Sequence, residues 1–333
     1  MSDLYQPQFN DETAARQWLE ARLWPNGPIC PHCGVLNQAT LLQRGTKPRK
    51  NQPEQKRPGS ARVGLYQCNA CYEPFTVTVG TLYERSHIPL HKWLAATHLV
   101  MASKKGMSAM QIHRMLAISY KSAWFMCHRI RESLRETKLA TPLGGQNKVV
   151  EADETYIGGK ETNKHKSKRR PGMQGGKGKE PVVALVERDG RVRSQHMPEV
   201  TAKNLRLALV TQVDRKSYLM TDESGAYKMV GREFAGHGSV NHSIEEYVRG
   251  SFWHTNTVEG YFSILKRGIV GTYHHVSQQH LKRYLAEFDY RYNERVSLGV
   301  SDSERMAKSV QGIVGKRLTY RRPNQPQDEL PDF

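Results

Sequence analysis

Apolar and polar positions change period twice along this chain, becoming helical near residue 89 and strand-like after Lys148. Upstream, residues 11–23 carry Ala15, Trp18, Leu19 and Leu23 near helical spacing and predict a short helix. Residues 72–79 alternate as a strand does. A first helix over 91–103 carries Trp93, Leu94, Ala95, Leu99 and Val100. A second starts at Met107-Ser108, with Ile112, Met115 and Leu116 apolar. A break at Ala117-Ile118 leads to Ser119, the expected N-cap of a third helix reaching Leu134.

Residues 136–148, with Pro142 and Gly144-Gly145, read as a linker. Beyond it, strands are predicted over 149–157, 181–187 and 191–197, the last two joined by an Asp189-Gly190 turn. A helix over 201–210, a strand over 218–222 and a helical or mixed stretch over 227–236 follow. Helices over 256–268 and 280–293 complete the pattern, the last with Leu281, Tyr284, Leu285 and Phe288 on one face. Three strands with a hairpin, then helix, strand and helix, is the order of an RNase H-like fold. The tail from about Asn324 is rich in Pro, Asp and Gln and is expected to be disordered.

Four of the five cysteines form two matched pairs, Cys30-Pro31-His32-Cys33 followed by Gly34, and Cys68-Asn69-Ala70-Cys71. CxxC, 34 residues, then CxxC is a zinc-ribbon pattern, with Zn²⁺ in a tetrahedral Cys₄ site closing a small β domain. His32 is a surplus donor, since four thiolates already complete the sphere. Cys127, within the third helix, is expected to pack. The expected class is therefore α/β: an RNase H-like mixed-sheet catalytic core preceded by a small β zinc ribbon and a helical, helix-turn-helix-like region. The boundaries read as 1–85 for the N-terminal helix and ribbon, 88–138 for the helical region, 146–295 for the core and 296–333 for a partly disordered tail.

A formal net charge of +18 and an isoelectric point near 9.7 point to an anionic partner. The charge is clustered between Arg44 and Arg62 and again between Lys164 and Lys179, the latter including Lys168, Arg169 and Arg170. Lys121, His128, Arg129 and Arg131 fall on the third helix, as in the later helix of a DNA-binding helix-turn-helix. No apolar run approaches the roughly 18 residues that span a bilayer, and no N-terminal stretch resembles a signal peptide. A soluble, cytoplasmic protein with no membrane partner is expected.

Three acids stand where decoration is a poor explanation. Asp153 lies inside the strand Val149-Val150-Glu151-Ala152-Asp153-Glu154-Thr155-Tyr156-Ile157, where Asp is disfavoured unless used. Glu151 and Glu154 are neighbours that invite confusion with it. Asp222 ends a strand, where ligands of open α/β sheets collect; an Asx turn through Asp222-Glu223-Ser224-Gly225 is the alternative. Glu259 opens a helix, and the pair Asn256 and Glu259 also fits a capping box. Lys266, two turns further on the same face with Arg267 beside it, favours a site that grips a phosphate strand. Together the three acids suit a pair of Mg²⁺ (or Mn²⁺) ions for phosphodiester chemistry.

At these residues the chain resembles the bacterial insertion-sequence transposases of the DDE type that carry an N-terminal zinc ribbon. The motifs are Cys30-Pro31-His32-Cys33-Gly34, Ala152-Asp153-Glu154-Thr155-Tyr156-Ile157-Gly158-Gly159, Thr221-Asp222-Glu223 and His254-Thr255-Asn256-Thr257-Val258-Glu259-Gly260. Further stretches are Lys266-Arg267-Gly268-Ile269, Gly271-Thr272-Tyr273-His274-His275 and Glu287-Phe288-Asp289-Tyr290-Arg291-Tyr292-Asn293. The resemblance spans roughly residues 20–300. It implies that Asp153, Asp222 and Glu259 are the catalytic metal ligands, and that double-stranded DNA with terminal inverted repeats is the substrate. The need to hold two DNA ends implies a homodimer or larger synaptic complex, nucleoid-associated. Two rivals remain at this point: a zinc-ribbon transcriptional regulator, and a structure-specific nuclease that does not join ends.

Overall fold

The structure, a computed structural model, describes residues 3–42, 63–136, 141–159, 161–169, 171–172, 176–222, 225–239, 248–249 and 252–319. The basic segment 44–62, Arg170, Glu223-Ser224 and the tail from Asn324 lie outside the described residues. Two compact units emerge, one of residues 1–97, 112–133 and 307–333, the other of 98–111 and 134–306. Among the described residues no helix is long and apolar enough to cross a membrane.

The first unit opens with α1 (Glu12–Leu23), capped by Asp11, whose carboxylate accepts from Ala14 N at 2.7 Å. Three short strands, β1 (Ala39–Leu41), β2 (Tyr66–Cys68) and β3 (Pro74–Phe75), form an antiparallel sheet. The alternating run after the second CxxC yields only the two residues of β3. Tyr72 takes a positive φ of 62° just before it, and hydrogen-bonded turns occupy 76–81 just after it.

Three helices follow: α2 (Leu90–Ala102), α3 (Ala109–Leu116) and α4 (Tyr120–Ser133). Ser108 Oγ caps α3 through Gln111 N, and Ser119 Oγ caps α4 through Ser122 N. Ala117, at φ 48°, ends α3, so the break falls where the apolar period lapsed. Cys127 is buried in α4, as a packing residue.

The second unit is built on a five-stranded sheet in the order β6-β5-β4-β7-β8. Its strands are β4 (Val149–Ile157), β5 (Glu180–Glu187), β6 (Val192–His196), β7 (Tyr218–Thr221) and β8 (Gly236–Ser239). The first three form an antiparallel meander, whereas β7 runs parallel to β4 and β8 parallel to β7. That is the RNase H-like arrangement. Alternation sorts the strand residues onto two faces. Val150, Ala152, Val183, Leu185 and Leu219 pack on α5 (Ala202–Gln212) and on Tyr227. Ile157, Val182, Ala184, Val186 and Val192 pack on α7 (Asn256–Gly268) and α8 (Gln278–Asn293). In α7 the buried residues Val258, Tyr261, Phe262 and Leu265 recur at i, i+3, i+4 and i+7, the stripe of a helix lying on a sheet.

Strand β8 carries no apolar pattern, because its residues are chosen for the rings beside it. A Cβ on Gly238 would stand 1.8 Å from the Trp253 ring, and one on Gly236 would stand 2.7 Å from Tyr218. After the four-residue α6 (Lys228–Gly231), the short strands β9 (Val248–Arg249) and β10 (Trp253–His254) pair before α7. Past α8, α9 (Asp302–Gln311) is a helix in a segment grouped with the tail; Ser301 and Glu304 form its capping box.

Side chains of α8 close the outer edge of β6. Asn293 accepts from Val192 N at 2.7 Å and donates to Val192 O at 3.0 Å. Asp289 accepts from Ser194 N at 2.8 Å, from Ser194 Oγ at 2.7 Å and from the Tyr261 hydroxyl. Replacing Asn293 by Ala leaves the amide and carbonyl of buried Val192 without these partners. The expected loss is about 1–3 kcal/mol, read as a lower urea midpoint at unchanged slope. An unchanged midpoint would assign the edge no energetic role.

Candidate active site and metal centre

The zinc-ribbon cysteines meet as their spacing predicts. Each CxxC bends back on itself: Gly34 N donates to Cys30 O at 2.9 Å, and Tyr72 N donates to Cys68 O at 3.0 Å. Gly34 at φ 76° and Tyr72 at φ 62° take the left-handed turn that follows each pair. Sulfur atoms then approach across the pairs, Cys30 to Cys71 at 3.7 Å and Cys33 to Cys68 at 3.6 Å. Four sulfurs about 2.3 Å from a tetrahedral Zn²⁺ lie about 3.8 Å from one another, so the set fits zinc. Backbone N–H groups of Cys71 and Ala70 help hold the Cys68 thiol below its ordinary value, in the direction of the ligating thiolate. Trp24, Tyr66 and Phe75 pack around this cluster, with ring centroids 5.4–5.8 Å apart.

The acids converge at one end of the five-stranded sheet. In the parallel pair, Ala152 stands opposite Thr221, so the next residues, Asp153 and Asp222, lie side by side where β7 ends. Glu259 arrives from the first turn of α7 and is exposed. Burial pushes Asp153 up to about 7, and the negative charges of Asp222, Glu154 and Glu259 push it the same way. These carboxylates therefore share one electrostatic environment. Their oxygens are hard donors of the kind Mg²⁺ and Mn²⁺ take. The set is looser than the ribbon: among the described residues, only the four cysteines bring their ligand atoms all within 4.8 Å of one another.

The neighbouring acids separate by role. Glu154 points to the opposite face of β4, where the Tyr227 hydroxyl donates to it at 2.6 Å. Glu151 is fully buried and accepts from Thr257 N at 2.8 Å and Val258 N at 2.9 Å. It thus caps α7, whose N-cap residue is Thr255 rather than Asn256. The capping box does not form as the sequence suggests: Glu259 N donates to Thr255 O at 3.1 Å, and the acid that serves the first-turn amides is Glu151, through Thr257 and Val258. Glu259 accepts from Thr255 Oγ1 at 3.1 Å. Tyr227 and the capping role of Glu151 escape sequence reasoning, because their partners lie 73 and 106 residues away.

The basic residues divide as well. Lys266 and Arg267 are exposed on α7, Lys121 on α4, and Lys168 and Arg169 in the stretch after β4. Arg267 donates to Ser263, and Arg169 to the carbonyls of Thr162 and Lys164. Two basic residues of α4 stand apart from these. Arg131 is 2% exposed, because it stands at i+8 from Ala123, inside the stripe that Ala123, Met126, Cys127 and Ile130 bury. Arg129 donates to Glu84 O and Leu318 O, both at 3.2 Å, and lies over the Phe125 ring. His128 is buried too.

Two stretches of the chain match known transposase domains. Residues 142–293 match an ISXO2-like transposase domain, and residues 10–73 match a transposase zinc-ribbon domain. An uncharacterized protein in transposable element ISH50 of Halobacterium salinarum is 28% identical over 295 residues, 85% of this chain and 91% of that protein. Among solved structures, the pre-cleavage Mos1 transpososome matches with a TM-score of 0.26 at 11% identity, over 65% of this chain and 74% of that one. The Mos1 strand transfer complex gives 0.27 at 13%, over 65% and 73%. The fold assignment therefore rests on strand order and not on those two structures. By its two domains, the chain belongs to the insertion-sequence transposases that join a transposase zinc ribbon to an ISXO2-like transposase domain.

Proposed function

We propose that this transposase binds the terminal inverted repeats of its element and carries out metal-dependent DNA cleavage and strand transfer, with Asp153, Asp222 and Glu259 as the catalytic ligands. The observation that carries the reading is the parallel register of β4 and β7, which ends at Ala152 opposite Thr221 and so brings Asp222, the residue after β7, next to Asp153, with Glu259 close enough to raise Asp153. Bound there, a pair of Mg²⁺ or Mn²⁺ ions would activate the attacking oxygen and stabilise the leaving one. The chain's own part is orientation. Glu154 N donates to Asp153 Oδ1 at 2.7 Å, and Thr255 Oγ1 donates to Glu259, so these two carboxylates are aimed before DNA arrives. Lys266, two turns beyond Glu259 on the same helix face, would hold the phosphate strand. Lys121, Lys168, Arg169 and Arg267 would add backbone contacts that weaken with salt. Two DNA ends held together require at least two copies of the chain.

Pre-cleaved ends incubated with target DNA and Mg²⁺ test the proposal. Joined product is expected. Hydrolysis without joining would make the protein a nuclease, and binding without metal-dependent cleavage would make it a regulator.

A further inference from the structure

Glu151 is a buried charge that the cleavage reading leaves without a task. It stands two residues before Asp153 on the same face of β4. Besides the α7 amides, it accepts from Thr257 Oγ1 at 2.9 Å and from Arg188 Nε at 2.7 Å. Arg188 in turn donates to Phe252 O at 2.8 Å and to His254 O at 2.9 Å, the carbonyls of the chain entering α7. A cap drawn from a helix's own N-cap residue fixes only the helix start. A cap drawn from a strand fixes the helix against the sheet, and a negative group is the one a helix N-terminus favours. Glu259 follows Val258, the second amide so held, by a single residue.

We propose that Glu151 is a positioning residue. By capping α7 from the strand that carries Asp153, it sets where Glu259 stands relative to Asp153, so that divalent ions meet both. This rests on the reading of the three acids given above.

The test uses the full chain with its ribbon zinc in place and Mn²⁺ as probe, binding being read from the free-Mn²⁺ electron paramagnetic resonance signal without DNA. Glu151→Gln keeps the size and one acceptor oxygen but loses the charge that serves the α7 amides and Arg188 together. Mn²⁺ affinity should fall about 10–100-fold, the range for groups that orient metal ligands, while affinity for end-bearing DNA in the absence of metal stays at the parental value. A folded Glu151→Gln protein with parental Mn²⁺ affinity overturns the proposal. Where that variant does not fold, Thr257→Val removes only the hydroxyl bond to Glu151, and a drop of about two- to tenfold is expected; parental affinity there overturns it equally. Asp153→Asn separates the two levels. If it also leaves Mn²⁺ binding intact, the acids are not the ligands and both readings fall. If it abolishes binding while Glu151→Gln shifts nothing, the positioning role alone falls.

Discussion

Asp153→Asn is expected to lower Mg²⁺-dependent cleavage of end-bearing DNA by about 10²–10³-fold, the scale on which removing a group aimed at transition-state charge is felt. The same change should leave the melting temperature unchanged or raise it. Asn keeps the shape and can accept the Glu154 N–H bond, but it removes a charge that burial disfavours and that Asp222, Glu154 and Glu259 repel. Activity and stability thus move in opposite directions, as they do where a site holds like charges together for use. Undiminished cleavage would sink the assignment of Asp153. Lost cleavage together with a lower melting temperature would turn it into a residue of the fold.

Withdrawing zinc should have an effect of similar size on a different part of the chain. The ribbon sheet has strands of three, three and two residues around a core of Cys30, Cys68 and Phe75, too little apolar burial to stand alone. Structural zinc contributes roughly 10–16 kcal/mol in zinc-finger peptides at neutral pH, far more than that core. Cys68→Ser, or chelation of the native chain, should therefore unfold the ribbon, while the five-stranded sheet, which holds none of the four ligands, keeps its structure. Hydrogen exchange resolved by peptide checks this: protection should vanish across β1–β3 and persist in β4 and β5, and added Zn²⁺ but not Mg²⁺ should restore it. A zinc-free protein with full protection in β2 would show that the cysteines are not structural ligands.

Much of this architecture is legible in the sequence because period survives packing. Strands β4 to β6 and helices α7 and α8 announce themselves through residues that reach a core, and the CxxC pairs through chemistry that tolerates few alternatives. Strand β8 does not, since Gly236-His237-Gly238-Ser239 is shaped by Tyr218 and Trp253 and has no apolar face of its own. Helix α9 was legible in principle from the box Ser301-Asp302-Ser303-Glu304. Arg131 shows the opposite error: charge suggested a surface, while its place in the apolar stripe of α4 already implied burial. In the candidate site, the positions of Asp153, Asp222 and Glu259 follow from local context. The division of labour among Glu151, Glu154 and Glu259 does not, for it is decided by Thr257, Val258 and Tyr227, far away in the chain.

The seal on β6 has a consequence for synthesis. Val192 and Ser194 leave the ribosome long before Asp289 and Asn293, the partners of their outer backbone groups, which lie 95 to 101 residues later. At the usual rate of about 5–20 residues per second, the nascent chain spends roughly 5–20 seconds with that strand open. An open edge accepts any extended segment that comes near, including the same strand of a neighbouring nascent chain on one messenger. The last helix of the core is therefore also the step that ends this exposure, and a message broken before codon 289 would release a product permanently ready to stick to its siblings.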